Sequence, residues 1–141
     1  CALPIFACLQ NGLMQTNFYS AQLHNMVAYH DFEGITIHAE EGPRVLKSIG
    51  TKQAVILRNH GLLSWGSTVP ETFAILWTLQ RACEIQLATF SMGPAITVSD
   101  DIAARCTRDS LQFDVNHGGA GQDVFDALVR QVDRLDTSYR Q

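Results

Sequence analysis

The stretch AVILRNHGLLSWG, residues 54 to 66, decides how the rest of the chain is read. Ala54 to Leu57 is an aliphatic, β-branched run, and Leu62 to Trp65 is a second. Residues of this kind suit a pleated, half-buried surface, so the two runs are expected to be antiparallel strands that turn over at His60-Gly61. Gly66-Ser67 bounds the pair downstream. His60 has two readings. As a lone histidine in a turn it is most often a hydrogen-bonding surface residue. Beside a glycine that permits close approach, it is also suited to hold a metal ion. The pattern favours the first and leaves the second open.

Downstream, Thr68 stands three residues before Glu71 with Pro70 between them, a capping-box arrangement that starts a long helix. Phe73, Leu76, Cys83, Leu87 and Phe90 recur at three- and four-residue steps, and Ile75, Leu79 and Ala82 add a second apolar strip. Such a helix is buried on more than one side, and Gly93-Pro94 ends it. Upstream, Val45, Leu46 and Ile49 share a face between Glu41 and Gly50, which predicts a short amphipathic helix from Glu41 to Ile49. Phe18-Tyr19 and Val27-Ala28-Tyr29 read as short strands, with HDFEG as a polar break after them. Ala2 to Gln10 reads as a helix stopped by Asn11-Gly12. Ser99 with Asp100-Asp101 opens another helix, running from Ile102 to Leu111. A last helix from Asp123 places Val124, Leu128, Val132 and Leu135 on one face. Antiparallel strands followed by three helices predict one sheet covered by helices, of α/β or α+β class.

With 141 residues, 46% hydrophobic and 17% charged, the chain is expected to form one domain over residues 1–141. A net charge of −4 without a basic cluster excludes nucleic acid and anionic membrane surfaces as expected partners. No apolar run approaches the ~20 residues of a membrane span. The cysteines Cys1, Cys8, Cys83 and Cys106 form no CxxC pair, so they read as buried, reduced thiols and point to a cytoplasmic protein. Cys1 in place of an initiator Met reads as a truncated start.

His24, His30, His38, His60 and His117 make no HxH or HExxH pair, so no self-contained metal site is visible in the pattern. HGGAG, residues 117 to 121, is either an anion-cradling loop or a flexible connection, and the lack of a Walker lysine favours the connection. His30, Asp31 and Glu33 in AYHDFEG are either acid–base groups or charges on a solvated loop, the loop being the commoner case. Trp65, Trp77 and the phenylalanines have no interleaved basic residues and read as core or interface.

VAYHDFEGI (27–35), the hairpin and helix from Ala54 to Leu87, and LVRQVDRLDTSYRQ (128–141) together resemble the C-terminal part of the class II aldolase/adducin domain. The resemblance implies a three-layer α/β/α fold around a mainly antiparallel sheet, assembled as a homotetramer. It also implies a divalent metal, normally zinc, held by three histidines: two from an HxH motif and the third from the histidine before this hairpin's glycine, which is His60. The HxH pair and the acidic catalytic residue have no counterpart here. The resemblance is therefore to a partial, N-terminally truncated domain, expected to be inactive as it stands. The implied activity of the whole protein is metal-dependent cleavage of a small hydroxy-carbonyl or sugar-phosphate substrate by retro-aldol, or related epimerase or decarboxylase, chemistry. The alternative it implies is a non-catalytic, adducin-like association module.

Overall fold

The computed structural model describes residues 2–35, 37–110 and 121–140. The elements in chain order are α1 (Ala2–Ala7), α2 (Phe18–Gln22), β1 (Val27–His30), α3 (Glu41–Ile49), β2 (Ala54–Leu57), β3 (Gly61–Ser64), α4 (Val69–Phe90), α5 (Asp100–Ser110) and α6 (Gln122–Leu135), closed by a 3-10 turn at Ser138–Arg140.

β2 is the middle strand, in the order β1-β2-β3. It pairs antiparallel with β3, Val55 opposite Leu63 and Leu57 opposite Gly61, as the flanking apolar runs predict. It pairs parallel with β1, Ala28 beside Val55 and His30 beside Leu57. The sheet is therefore mixed, not mainly antiparallel. The physical reason is α3: parallel neighbours need a crossover, and the Glu41–Ile49 helix supplies it as the middle of a βαβ unit. The α/β class stands.

Phe18-Tyr19 is helical, not extended. Asn17 Oδ1 accepts from the backbone N–H groups of Tyr19 at 3.0 Å and Ser20 at 2.9 Å, and Ser20 Oγ accepts in return from Asn17 N–H at 3.1 Å. This reciprocal cap satisfies donors that would otherwise be orphaned at the helix start, and it outweighs the strand preference of two aromatics.

The hairpin turn also differs from expectation. It spans Arg58-Asn59-His60, closed by His60 N–H donating to the Leu57 carbonyl at 3.0 Å. The left-handed residue is Asn59, at φ +58°, and Gly61 already belongs to β3. A Cβ on Gly61 would meet nothing within 4 Å, so close approach at that glycine does not explain the position of His60. Asn tolerates the left-handed region well enough to make this turn on its own.

Alternation along the strands gives the sheet two covered faces. Ala54 and Ile56 join Phe6, Leu23 and Met26 in a core closed by Ile75, Leu79, Ala82 and Cys83 of α4, with Tyr29 packed against it. Ala28, His30 and Val55 point the other way, where α3 packs on β1. Burial pushes the Cys83 thiol up to about 12, so that sulfur is chemically quiet. The expectation of uniformly buried cysteines does not hold, because Cys8 is exposed and Cys106 only half-buried.

At the start of α4, Thr68 Oγ1 accepts from Glu71 N–H at 3.2 Å, as the cap predicts. The Glu71 carboxylate reaches one residue further, accepting from Ser67 N–H at 2.7 Å, Ser67 Oγ at 2.6 Å and Gln53 Nε2 at 3.1 Å. The Ser67 hydroxyl above all holds Glu71 below the usual glutamate range. A depressed folded-state value adds stability above the unfolded pKa of 4.5 and loses it as pH falls through the folded value. Glu71→Gln should therefore flatten the acid limb of the stability–pH curve below about pH 4.5 while changing its slope little near neutrality, as read by urea unfolding at stepped pH.

Candidate functional site

β1 ends at His30 and β2 ends at Leu57, side by side in the parallel register. The crevice outside the carboxyl ends of parallel strands is the usual ligand position in α/β sheets. Here it is a cavity of about 350 Å3, enclosed by the strand ends, the turn that carries His60, the loop after β1 and the first half of α3. Its walls are apolar at Phe32, Val45, Leu46, Leu57 and Leu63, and its polar groups are His30, Asp31, Glu33, Glu41, Arg58 and His60. The AYHDFEG cluster and the hairpin histidine, which the sequence presents as separate features, thus line one site.

His30 is held in place. Only 7% of it is exposed, and its Nδ1 lies 3.0 Å from Ser48 Oγ on α3. Its Nε2 is buried without a hydrogen-bond partner, the Glu33 carboxylate being 3.5 Å away. Glu33 is itself clamped by Arg44, whose Nε lies 2.9 and 2.8 Å from the two carboxylate oxygens and whose Nη2 also donates to Oε2. The Arg44 hydrogen bonds hold Glu33 below the usual carboxylate range, so it stays ionised and accepts only.

Arg58 stacks on the Tyr29 ring, 4.8 Å from its centroid, and donates to the carbonyls of Leu9 at 2.8 Å and Gln10 at 3.2 Å. Its Nε is 3.9 Å from Asp31, whose side chain is 95% exposed and correspondingly weakly held. Tyr29 is in turn anchored by Leu13 N–H, which donates to its hydroxyl at 2.8 Å, and burial raises its phenol above the ordinary value.

His60 stands exposed at the mouth, and its ring makes no hydrogen bond to a described residue. An uncommitted imidazole is a suitable nitrogen ligand for a divalent ion. Among the described residues no group of three or more His, Cys, Asp or Glu is placed to hold a metal. The donors present thus fit one ligand of such a site, not a complete set of about three.

Of the other sequence candidates, His24 pairs with Gln15, away from the cavity. His117 and most of HGGAG lie outside the described residues. Gly121, its last residue, sits at φ +84° with its Cβ position 2.8 Å from the Pro70 carbonyl, so it seats α6 against the start of α4. Sequence reasoning did not find Ser48, Arg44 or Arg58. Their roles depend on contacts across 11 or more residues, apart from Arg58's position inside the hairpin turn itself.

Residues 2–87 match the sequence profile of the class II aldolase and adducin N-terminal domain. A Pseudomonas aeruginosa protein provisionally named a class 2 aldolase is 32% identical over 96% of this chain and 53% of its own length. Rat alpha-adducin is 37% identical over 77% of this chain and 16% of its own. The crystal structure of an aldolase II superfamily protein from Pseudomonas syringae superposes with a TM-score of 0.88 at 30% identity, covering 99% of this chain and 56% of that one. The chain thus spans about half the length of its bacterial relatives.

Proposed function

Because this chain belongs to the class II aldolase and adducin family, we propose that it forms part of a metal-dependent, aldolase-like lyase acting on a small hydroxy-carbonyl compound. The observation that carries the reading is the placement of His60. An exposed imidazole, uncommitted to any described residue, stands over a cavity at the carboxyl ends of parallel strands. In this reading His60 supplies one nitrogen to a divalent ion, zinc being the natural choice for imidazole ligands, and the further ligands come from residues other than those described. The bound ion would act as a Lewis acid on substrate oxygens, stabilising the negative charge that develops when a carbon–carbon bond breaks. The chain's own residues then do three things. The apolar wall of Phe32, Leu57 and Leu63 excludes water from the substrate, Arg58 rigidifies the turn by its grip on Tyr29 and the Leu9 carbonyl, and the buried His30 faces the bound molecule. Assembly as a homotetramer in the cytoplasm belongs to the same proposal.

The test is carbon–carbon cleavage by the full protein across a panel of hydroxy-aldehydes and hydroxy-ketones, before and after chelation. Activity should vanish with chelator and return with zinc, and His60→Ala should lower kcat/KM at least about 100-fold. Full activity in chelator, or in the variant, would overturn the reading.

An association module of adducin type remains the second reading, and one observation favours it. The α6 face carries Val124 at 54%, Val132 at 46% and Leu135 at 80% exposure, an apolar row only partly covered by the described residues. A metal-free, inactive protein whose self-association is lost on Val132→Lys would select it.

A further inference from the structure

The His60 ring makes no hydrogen bond to a described residue, so its place over the cavity is set by the backbone that carries it. A ligating histidine is ordinarily oriented by a hydrogen bond to its second ring nitrogen. Here the orienting falls to the turn. That turn is short and exposed at Asn59 and His60, with Asn59 at φ +58° and His60 N–H donating to the Leu57 carbonyl at 3.0 Å. Exposed turns of this kind open readily unless something outside the hairpin holds them.

The segment from Ala7 to Leu13, which leaves the end of α1, holds it at three places. The Ala7 carbonyl accepts from Asn59 N–H at 3.0 Å, and the Leu9 and Gln10 carbonyls accept from Arg58 Nη1 at 2.8 and 3.2 Å. The third place is indirect. Arg58 lies on the Tyr29 ring, 4.8 Å from its centroid, and Leu13 N–H donates to the Tyr29 hydroxyl at 2.8 Å. Gly12 makes this third contact possible. It is buried at φ +64°, and a Cβ there would stand 2.6 Å from the Tyr29 hydroxyl oxygen and 2.7 Å from Cε1. The end of a helix accounts for the positive φ, which Asn also tolerates, but not for the closeness of the ring. A side chain at position 12 has to push Tyr29 aside, and with it the surface on which Arg58 rests.

We propose that Gly12, Tyr29 and Arg58 are positioning residues for His60: the Gly12 backbone seats the Tyr29 ring, the ring and two carbonyls hold Arg58, and Arg58 fixes the turn with the imidazole over the cavity. The holding of the turn follows from these contacts alone. Its value to a bound ion rests on the reading of His60 as a metal ligand.

Two readouts on the full protein test this: amide hydrogen exchange at Asn59 and His60, and zinc affinity by competition with a chromophoric chelator. Gly12→Ala and Tyr29→Leu should each accelerate exchange at both amides at least about tenfold. They should weaken zinc binding by at least about tenfold as well. Arg58→Lys keeps the charge but loses the planar stack and the two-carbonyl reach, and should act in the same direction on both. If Gly12→Ala does not fold, the other two variants carry the test. Ala103→Gly, at a buried position of α5 outside these contacts, controls for lost stability and should change neither readout. In a His60→Ala background, Tyr29→Leu or Gly12→Ala should have no further effect on zinc affinity, because they act through the missing ring. Unchanged exchange at Asn59 and His60 in a folded Tyr29→Leu or Arg58→Lys protein overturns the proposal, as does an equal acceleration in Ala103→Gly. So does a zinc affinity that falls with His60→Ala but not with Tyr29→Leu, or a Tyr29→Leu penalty that persists without His60. If exchange accelerates as stated while His60→Ala leaves zinc affinity unchanged, the turn is held as proposed and the metal-ligand reading fails.

Discussion

Leu79→Ala should lower the free energy of unfolding by about 3–4 kcal/mol, a large share of the ~5–15 kcal/mol that holds a domain together. Leu79 is fully buried at the middle of α4, in the cluster that joins α1, the sheet and the long helix. Removing its isobutyl group forfeits the transfer free energy of the lost atoms and leaves a cavity that three separate elements would have to collapse together to fill. Urea unfolding should show a lower midpoint at unchanged slope, since the native core shrinks without a change in the surface exposed on unfolding. A loss below about 1 kcal/mol would mean that the helix does not pack as described.

Gln86→Leu should cost about 2–5 kcal/mol although it replaces a polar residue by an apolar one of similar size. Gln86 is 1% exposed, on a helix whose other buried residues are Ile75, Leu79, Ala82 and Cys83. Its Oε1 accepts from Met14 N–H at 2.7 Å and its Nε2 donates to the Gly12 carbonyl at 2.9 Å. Leucine would leave the buried Gly12 carbonyl and the part-buried Met14 N–H without these partners, at up to about 1–3 kcal/mol each. The damage should travel. Leu13, between those two residues, holds the Tyr29 hydroxyl, and Tyr29 precedes His30 on β1 and carries the Arg58 stack. Amide hydrogen exchange at Leu13 and Met14 should accelerate in the variant before exchange in α4 does. Unchanged protection at these amides would break the link between Gln86 and the site.

The elements that were legible in the sequence are those whose signals are local. The Glu41–Ile49 helix has its Pro, apolar face and terminal Gly within ten residues, and the structure reproduces its limits. The long helix announced itself by Thr68 and Glu71, although Glu71 caps Ser67 rather than Thr68. The α2 helix was not legible, because its cap pairs Asn17 with Ser20 in place of the Ser/Thr and Glu/Gln of the familiar motif. Nor was the parallel pairing of β1 and β2, since strand direction depends on which distant segment lies alongside, and the aliphatic run of β2 suits either neighbour. The site divides in the same way. His60 could be singled out from its turn, and in the sequence the metal-ligand role proposed for it rests on family resemblance. His30 and Glu33 were visible as a polar cluster, but the burial of one and the Arg44 clamp on the other arise from α3 folding back over β1. Gln86 fell on the buried side of an apolar helix, where nothing in the periodicity distinguishes a missed turn of the pattern from a residue that anchors a loop.

The central claim is that His60 is a metal ligand, and elemental analysis of the purified full protein addresses it most directly. After dialysis against metal-free buffer, about one equivalent of divalent metal should remain per chain, and His60→Ala should lose it while keeping its fold by circular dichroism. Native protein that carries no metal and takes up none when zinc is supplied, or a His60→Ala protein that retains a full equivalent, would contradict the account.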